Sequence, residues 1–200
     1  MFDYRSVIRT VPPTAEPVSL LEAKQQLHLD ISEDDNYLQS LIAVSRSYAE
    51  HYTQRAFCLS QFTAFYNSLP SVIPLPYPPA NASKPAVLEA RDSDWNWRPL
   101  EENEWYFDSF SEPAIATVIR TPSWVSNIHP GQYGDPGCRI TWWAGYSVDG
   151  ENVPVMVKQA ILLLTAHYYE RRLAADALGG SEVPFGVQVL LDAVKWRFYS

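Results

Sequence analysis

Proline and tryptophan crowd the middle of this 200-residue chain, and that crowding limits what the chain can fold into. Eleven of the 16 prolines and six of the 7 tryptophans fall within residues 58–150. Proline lacks the amide that a helix interior needs, so no helix of ordinary length persists there. Short runs rich in aromatic and β-branched residues occur instead: Gln61–Tyr66, Val72–Leu75, Trp105–Phe107, Ala114–Ile119 and Arg139–Trp143. Clusters of proline, glycine, asparagine and aspartate, such as Pro76–Pro79 and His129–Gly137, separate them. The pattern predicts an antiparallel β-rich insertion with long loops. Within it, Glu101–Glu104 to Asp108 reads as a solvated hairpin edge. Trp142 and Trp143 alternate on a strand, one facing inward and one outward.

Helical patterns flank this stretch on both sides. Ser19 followed by Glu22 is a capping box, in which each side chain satisfies a free amide at a helix start. A short helix over Leu20–Leu27 follows from it. Ser32 reads as a second N-cap, with Glu33, Asp34 and Asp35 in the first turn, where the helix dipole favours negative charge. Leu38, Leu41, Ile42, Ser45, Tyr48, Ala49 and Tyr52 then recur at spacings of three and four. That is one apolar stripe on a helix of about 22 residues, roughly 33 Å long. Arg46 and Glu50 are read as a weak pair on its outer side.

Beyond the insertion, Pro154 opens a helix at a position where its missing amide costs nothing. The run Val155–Leu173 is apolar on more than one face through Val157, Ile161, Leu162, Leu163, Leu164, Ala166, Tyr168 and Tyr169, which predicts enclosure on several sides. Its length matches the 33–54 helix, so the two are expected to pack side by side. Arg171 and Arg172 suit its last turn. After a break at Gly179 and Gly180, a short terminal helix carries Phe185, Val187, Val189, Leu190, Leu191, Val194 and Trp196. The predicted fold is therefore α+β, a helical bundle formed by N- and C-terminal helices with an antiparallel β-rich insertion between them. Its parts are residues 1–57, 58–150 and 151–200.

No stretch approaches the 18 apolar residues of a transmembrane helix. The start MFDYRSVIRT has no apolar core of signal-peptide length, so the product is expected to stay in the cytoplasm. Cys58 and Cys138 are too few for a disulfide framework or a thiolate metal site, and read as apolar positions in a reducing compartment. The net charge is −8, divided as −3, −5 and 0 over the three parts. An acidic chain without a basic stripe is a poor match for phosphate backbones, whose affinity comes from Lys and Arg displacing counterions.

Chemistry-bearing motifs are absent. His28, His51, His129 and His167 are scattered, with no HExxH and no G-x-S-x-G nearby. No Gly-rich phosphate loop is present, and Glu33, Asp34 and Asp35 are better explained by a helix start than by acid–base work. No metal or cofactor site is expected. The unusual feature is aromatic: Trp95, Trp97, Trp105, Trp124, Trp142 and Trp143 crowd the β region. Exposed tryptophans stack on sugars or bases, yet they are also the residues that enrich core and interfaces. The composition favours an assembly component over an enzyme.

Particular segments carry a resemblance. Pro17-Val-Ser-Leu-Leu-Glu-Ala-Lys-Gln-Gln-Leu-His-Leu-Asp, Glu33-Asp-Asp-Asn-Tyr-Leu-Gln-Ser-Leu-Ile-Ala and Ala49-Glu-His-Tyr-Thr-Gln-Arg-Ala-Phe resemble the N-terminal half of tailed-phage head–tail connector (adaptor) proteins, which have relatives in phage-like gene transfer agents. Ile140-Thr-Trp-Trp-Ala-Gly-Tyr, Gln159-Ala-Ile-Leu-Leu-Leu-Thr-Ala-His-Tyr-Tyr-Glu-Arg-Arg and Val183-Pro-Phe-Gly-Val-Gln-Val-Leu-Leu agree in order and spacing. The resemblance spans about residues 17–192 and fades within 76–104 and 122–137.

It implies a structural virion component at the head–tail junction, assembled in a bacterial host cytoplasm. It would form a homo-oligomeric ring, a dodecamer, under the portal protein, extending the DNA channel and joining a downstream connector or tail protein. DNA would be met only in passage, and no membrane is involved. Three sets of residues are expected to serve this role. Phe185, Val187, Leu190, Leu191, Trp196, Phe198 and Tyr199 form an amphipathic segment suited to a groove of the portal or a neighbouring subunit. Glu33, Asp34 and Asp35 face the channel. Trp95, Trp97 and Trp124 contact the next protein toward the tail. Two rivals are a carbohydrate-binding module built on the exposed tryptophans and a hydrolase using carboxylates among Asp92, Asp94 and Glu101–Glu104.

Overall fold

The computed structural model describes residues 4–125, 134–171 and 184–196. Strand β1 (Ser6–Val11) leads into helices α1 (Leu20–Leu27) and α2 (Asp35–Thr53). Seven strands follow: β2 (Ser60–Tyr66), β3 (Val72–Pro74), β4 (Val87–Arg91), β5 (Trp97–Pro99), β6 (Trp105–Asp108), β7 (Ile115–Val118) and β8 (Cys138–Ala144). Helices α3 (Val155–Glu170) and α4 (Phe185–Asp192) close the order. The chain divides into two compact units. One is drawn from residues up to 13 and from 59–146, the other from 14–58 and 147–199. The class is α+β with antiparallel sheets, as the sequence patterns predict.

In the helical unit, α1 begins where the capping box places it. The Glu22 amide donates to Ser19 Oγ at 3.2 Å, and the Ser19 amide donates to Glu22 Oε2 at 2.6 Å. Those bonds hold the Glu22 carboxyl below its ordinary pKa, the backbone bond at Ser19 contributing most. Helix α2 corrects a second expectation. It spans 19 residues and starts at Asp35, not at a Ser32 cap. Asp34 stands at its N-cap without a side-chain capping bond, because its carboxylate accepts instead from Tyr169 Oη of α3 at 2.6 Å.

Helix α3 is enclosed by its own chain. It packs against α1, α2 and α4, with Val157, Ala160, Ile161 and Leu164 fully buried. Thr165 Oγ1 donates to Ser45 Oγ at 3.1 Å, locking α2 and α3 side by side through a buried, satisfied pair. One face is thus consumed within the subunit, while Leu162, Leu163, Ala166 and Tyr168 are half-buried and Val155 and Met156 are exposed. The helix ends at Glu170 with Arg171 as C-cap, and Arg172, Gly179 and Gly180 lie outside the described residues.

A buried ion cluster ties this unit's connections together. Arg46 Nε donates to Glu16 Oε2 at 2.7 Å and Nη1 to Glu50 Oε2 at 2.9 Å. Glu50 Oε1 accepts the Phe57 amide at 3.0 Å. Burial opposes the Arg46 charge, yet the two carboxylates outweigh it and raise its pKa. The predicted exposed, weak Arg46–Glu50 pair is thus corrected: Arg46 has 9% and Glu50 4% of its surface exposed. Gly150 runs against this region at φ +78, where a Cβ would meet the Glu16 carbonyl at 2.7 Å. Only glycine fits such an approach.

The β unit holds two antiparallel sheets, ordered β1-β2-β8-β4-β5 and β3-β7-β6. Period-2 alternation sorts each strand's residues to two faces. Strand β8 buries Cys138, Ile140, Trp142 and Ala144, and they pair across with Tyr66, Ala64, Phe62 and Ser60 of β2, all buried. Phe62 and Trp142 stack with centroids 5.7 Å apart, and Tyr77 stacks on Phe62 at 4.9 Å. On the opposite face, the Thr63 and Thr141 hydroxyls meet at 3.0 Å.

Three strands differ from the sequence expectation. Residues 6–11, assigned above to a helical N-terminal part, form a strand paired with β2. The β-branched run Val7-Ile-Arg-Thr-Val before Pro12-Pro13 carries that signal. Strands β4 and β5 were also not expected. Val87-Leu-Glu-Ala-Arg contains good helix formers and is drawn into the sheet by its pairing with β8. Pro99 is tolerated because β5 lies at the sheet edge. The solvated hairpin edge expected from Glu101–Glu104 to Asp108 holds for β6, an edge strand paired with β7, and for the exposed Glu101 and Glu102. Glu104 alone departs, 5% exposed with its Oε2 accepting the Glu101 amide at 2.9 Å.

Candidate interaction surfaces

The C-terminal residues expected to meet a partner divide between core and surface. Val187 and Leu191 are completely buried, on the side of α4 that packs against α3 and α2. Their side chains belong to the subunit's own core and are not available to a groove elsewhere. Phe185, 78% exposed, and Val189, 50% exposed, are four residues apart on the opposite side, while Leu190 is half-buried. The end of this segment is tied down. Tyr52 Oη donates to Asp192 Oδ1 at 2.8 Å, Arg55 Nε to the Val194 carbonyl at 2.6 Å and the Trp196 amide to the Thr53 carbonyl at 2.9 Å. Lys195 lies over the Tyr52 ring at 4.3 Å. Phe198 and Tyr199 lie outside the described residues.

The three acids expected to line a channel are not equivalent. Asp34 is taken by Tyr169, and Asp35 Oδ1 accepts from Lys24 Nζ of α1 at 2.8 Å. Both carboxylates clamp neighbouring helices to the start of α2. Glu33 is exposed, as is Asp30 three residues before it, and Ile31 between them is 51% exposed.

The tryptophans do not form one patch. Trp97 lies on β5 opposite Arg91 of β4, with the Arg91 guanidinium 3.9 Å and the Arg139 guanidinium 4.6 Å from its ring centre. Trp95, in the β4–β5 turn at φ 65, offers its carbonyl to Arg91 Nη1 at 2.6 Å. Trp124 sits under Arg98, 4.6 Å from the guanidinium. Arg98 follows Trp97 on β5 and so points to the other face. Lys84 lies 5.5 Å from the Trp143 ring. Each of these cations occupies a ring face on which a sugar would otherwise stack. What sequence reasoning missed at these rings are the cations. Their signal is period-2: Val87, Glu89 and Arg91 on one strand, Arg139, Thr141 and Trp143 on its neighbour.

Two of the carboxylates proposed for hydrolysis, Asp92 and Glu104, serve as turn braces. Asp92 Oδ1 accepts the Asp94 and Asn96 amides at 3.0 and 2.8 Å, and Glu104 closes its own turn. Among the described residues no group of three His, Cys, Asp or Glu is placed to hold a metal ion. Cys58 and Cys138 are buried thiols outside any disulfide, pushed up to about 12 by burial, with Glu16 adding to it at Cys58 and Glu89 at Cys138. His167 is held below its ordinary value by burial and then by Arg171. No described helix is long and apolar enough to cross a membrane.

Residues 17–87 match the family of phage gp6-like head-tail connector proteins. No curated protein sequence matches the chain. Among solved structures, the fold is similar to a chain in the virion of a native gene transfer agent (GTA) particle, with 20% identity, TM-score 0.73 and 97% of both chains covered. It is similar to a chain in the neck of an empty GTA particle computed with C6 symmetry, with 19% identity, TM-score 0.76 and coverage of 98% and 97%. A chain in the neck of a native GTA particle computed with C12 symmetry matches at 23% identity and TM-score 0.69, over 98% of this chain and 96% of that one. The resemblance to head–tail connectors, including those of gene transfer agents, is borne out.

Proposed function

We propose that this chain is a head–tail connector, a structural component of a phage-like particle that builds the ring joining the head to the tail or to the next connector protein. The observation that carries this reading is the joint one: a connector-family match over residues 17–87 within a fold shared almost end to end with chains of GTA particles and their necks. The ring is a dodecamer in this reading, docked under the portal, with DNA passing through its lumen. The two helical segments, 14–58 and 147 onward, form the connector core, and the β unit combines residues 59–146 between them with strand β1 ahead of them.

The residues suit division of labour. Helix α4 offers Phe185 and Val189 to the portal, while Val187 and Leu191 anchor the helix to its own subunit. Glu33 contributes exposed negative charge to the lumen, where a wall that repels phosphate lets DNA slide. Trp95 and Trp124 face the next protein toward the tail.

The test is made in a producing cell. Deleting the gene is expected to give DNA-filled heads without tails, and tagged protein restored in trans is expected to appear at the neck in electron micrographs. Tailed, infectious particles from the deletion strain would refute the role. Removing α4 altogether would strip Val187 and Leu191 from the core, so the finer test is Phe185→Ser with Val189→Ser. That variant should fold and fail to join portal rings in a pull-down, and unimpaired joining would refute the α4 assignment.

A further inference from the structure

We propose that the outward face of the five-stranded sheet receives the α1–α2 loop of a neighbouring copy of this chain, a contact that rests on the ring reading and specifies it. Val87 and Arg91 of β4, Trp97 of β5, and Arg139 and Trp143 of β8 share that face by register, opposite the buried Leu88, Ala90, Ile140 and Trp142. Val87 is 41% exposed. Lys84, just ahead of β4, reaches over Trp143. The stacked cations hold the aromatic floor rigid, and a floor fixed before binding loses little entropy on contact.

Charge selects the occupant. Arg139 is answered by Glu89 through a bidentate pair at 2.6 and 2.8 Å. Arg91 and Lys84 enter no ion pair among the described residues. The face therefore carries three cations against one acid, within a chain of net charge −8. It fits an apolar knob flanked by carboxylates, and the same chain exposes one in Asp30-Ile31-Ser32-Glu33. Asp30 and Glu33 form no ion pair among the described residues, in contrast to Asp35, which Lys24 holds.

Dimensions agree. Lys84 is over Trp143 and Arg91 is beside Arg139, so the two cations without an ion pair lie toward opposite ends of a four-residue span of β8, about 13 Å. Asp30 and Glu33, three residues apart, reach across up to about 10 Å of backbone, and the side chains supply the remainder. Ile31 then seats on Val87, between the two cations. Sheet face against helix loop is a head-to-tail contact, which closes into a ring when the rotation permits. A DNA backbone as occupant would meet a strongly acidic chain around a small cationic patch, and so fits less well.

The experiment uses assembled particles. The pair Ile31→Cys with Val87→Cys, treated with a short bis-maleimide, is expected to yield a ladder of covalent multimers, and either single substitution none beyond a dimer. Particles that hold the chain at the neck without a ladder overturn this contact and leave the connector role intact. A chain absent from wild-type particles overturns both. Charge reversal gives an independent reading. Arg91→Glu with Lys84→Glu, and separately Asp30→Lys with Glu33→Lys, should each lower incorporation about tenfold or more. Co-expression of the two variants should restore it, because each altered face then meets a complementary loop. Unchanged incorporation, or failure of that rescue with both variants folded, overturns the proposal. So does retardation of duplex DNA by the wild-type chain that Arg91→Glu with Lys84→Glu abolishes, which assigns the face to nucleic acid.

Discussion

Arg46 and Glu50, one turn apart on α2, are joined at 2.9 Å inside the protein, where the same arginine also holds Glu16 from the segment before α1. A buried cation between two carboxylates contributes little as a stabilising device but is costly to break, because Glu50, left behind, is charged and desolvated.

Arg46→Met is therefore expected to destabilise the chain by about 3–5 kcal/mol. Glu50→Gln keeps the Phe57 amide's acceptor and should cost less. Chemical denaturation followed by circular dichroism checks both. An Arg46→Met midpoint equal to that of the wild type would show the cluster to be energetically idle.

Trp142 fills the buried face of the larger sheet at 1% exposure, stacked on Phe62. Truncation leaves a cavity that close-packed strands cannot collapse. Trp142→Ala should cost about 3–5 kcal/mol. Trp143→Ala, on the outward face, should cost far less, and thermal melts of the two variants compare them directly.

His167 predicts a pH dependence. Burial, then Arg171, lowers its folded-state pKa, so the unfolded chain binds that proton more readily. Its contribution is complete above about pH 6.5, the ordinary histidine value, and is lost as pH falls toward the folded pKa. His167→Gln should flatten the stability profile on the acid side of that value. Urea midpoints between pH 5 and 7.5 measure it, and parallel profiles would refute the assignment.

Cys58 and Cys138 should be inert in the native state, because burial raises both thiols to about 12 and denies reagents access. A chromogenic disulfide reagent should titrate neither thiol until denaturant is added. Rapid labelling of either in the native protein would contradict its burial.

Local chemistry made several elements legible. The Ser19–Glu22 box and the spacing of three and four placed α1 and the body of α2, because helix formation depends on residues within one turn. Pro154 marked the start of α3 for the same reason. Alternating aromatic and β-branched residues located β2 and β8. The connector resemblance rested on these same segments.

Partner selection was legible in none of them. Helix formers in β4 became a strand because β8 lay beside them, and residues 6–11 became a strand because β2 did. Arg46 reads as a surface residue until Glu16, 30 positions earlier, arrives to share its charge. That cations cover Trp97, Trp124 and Trp143 was invisible until Arg91, Arg98, Arg139 and Lys84 were brought over their rings from other points of the chain. The amino-acid order alone determined helix and strand periods, caps and breaks, since those are set by forces acting over a few residues. Only the tertiary structure decided which side of α4 is core, which charges are buried and which remain unanswered at the surface, because burial and pairing are properties of neighbours that the order of residues does not name.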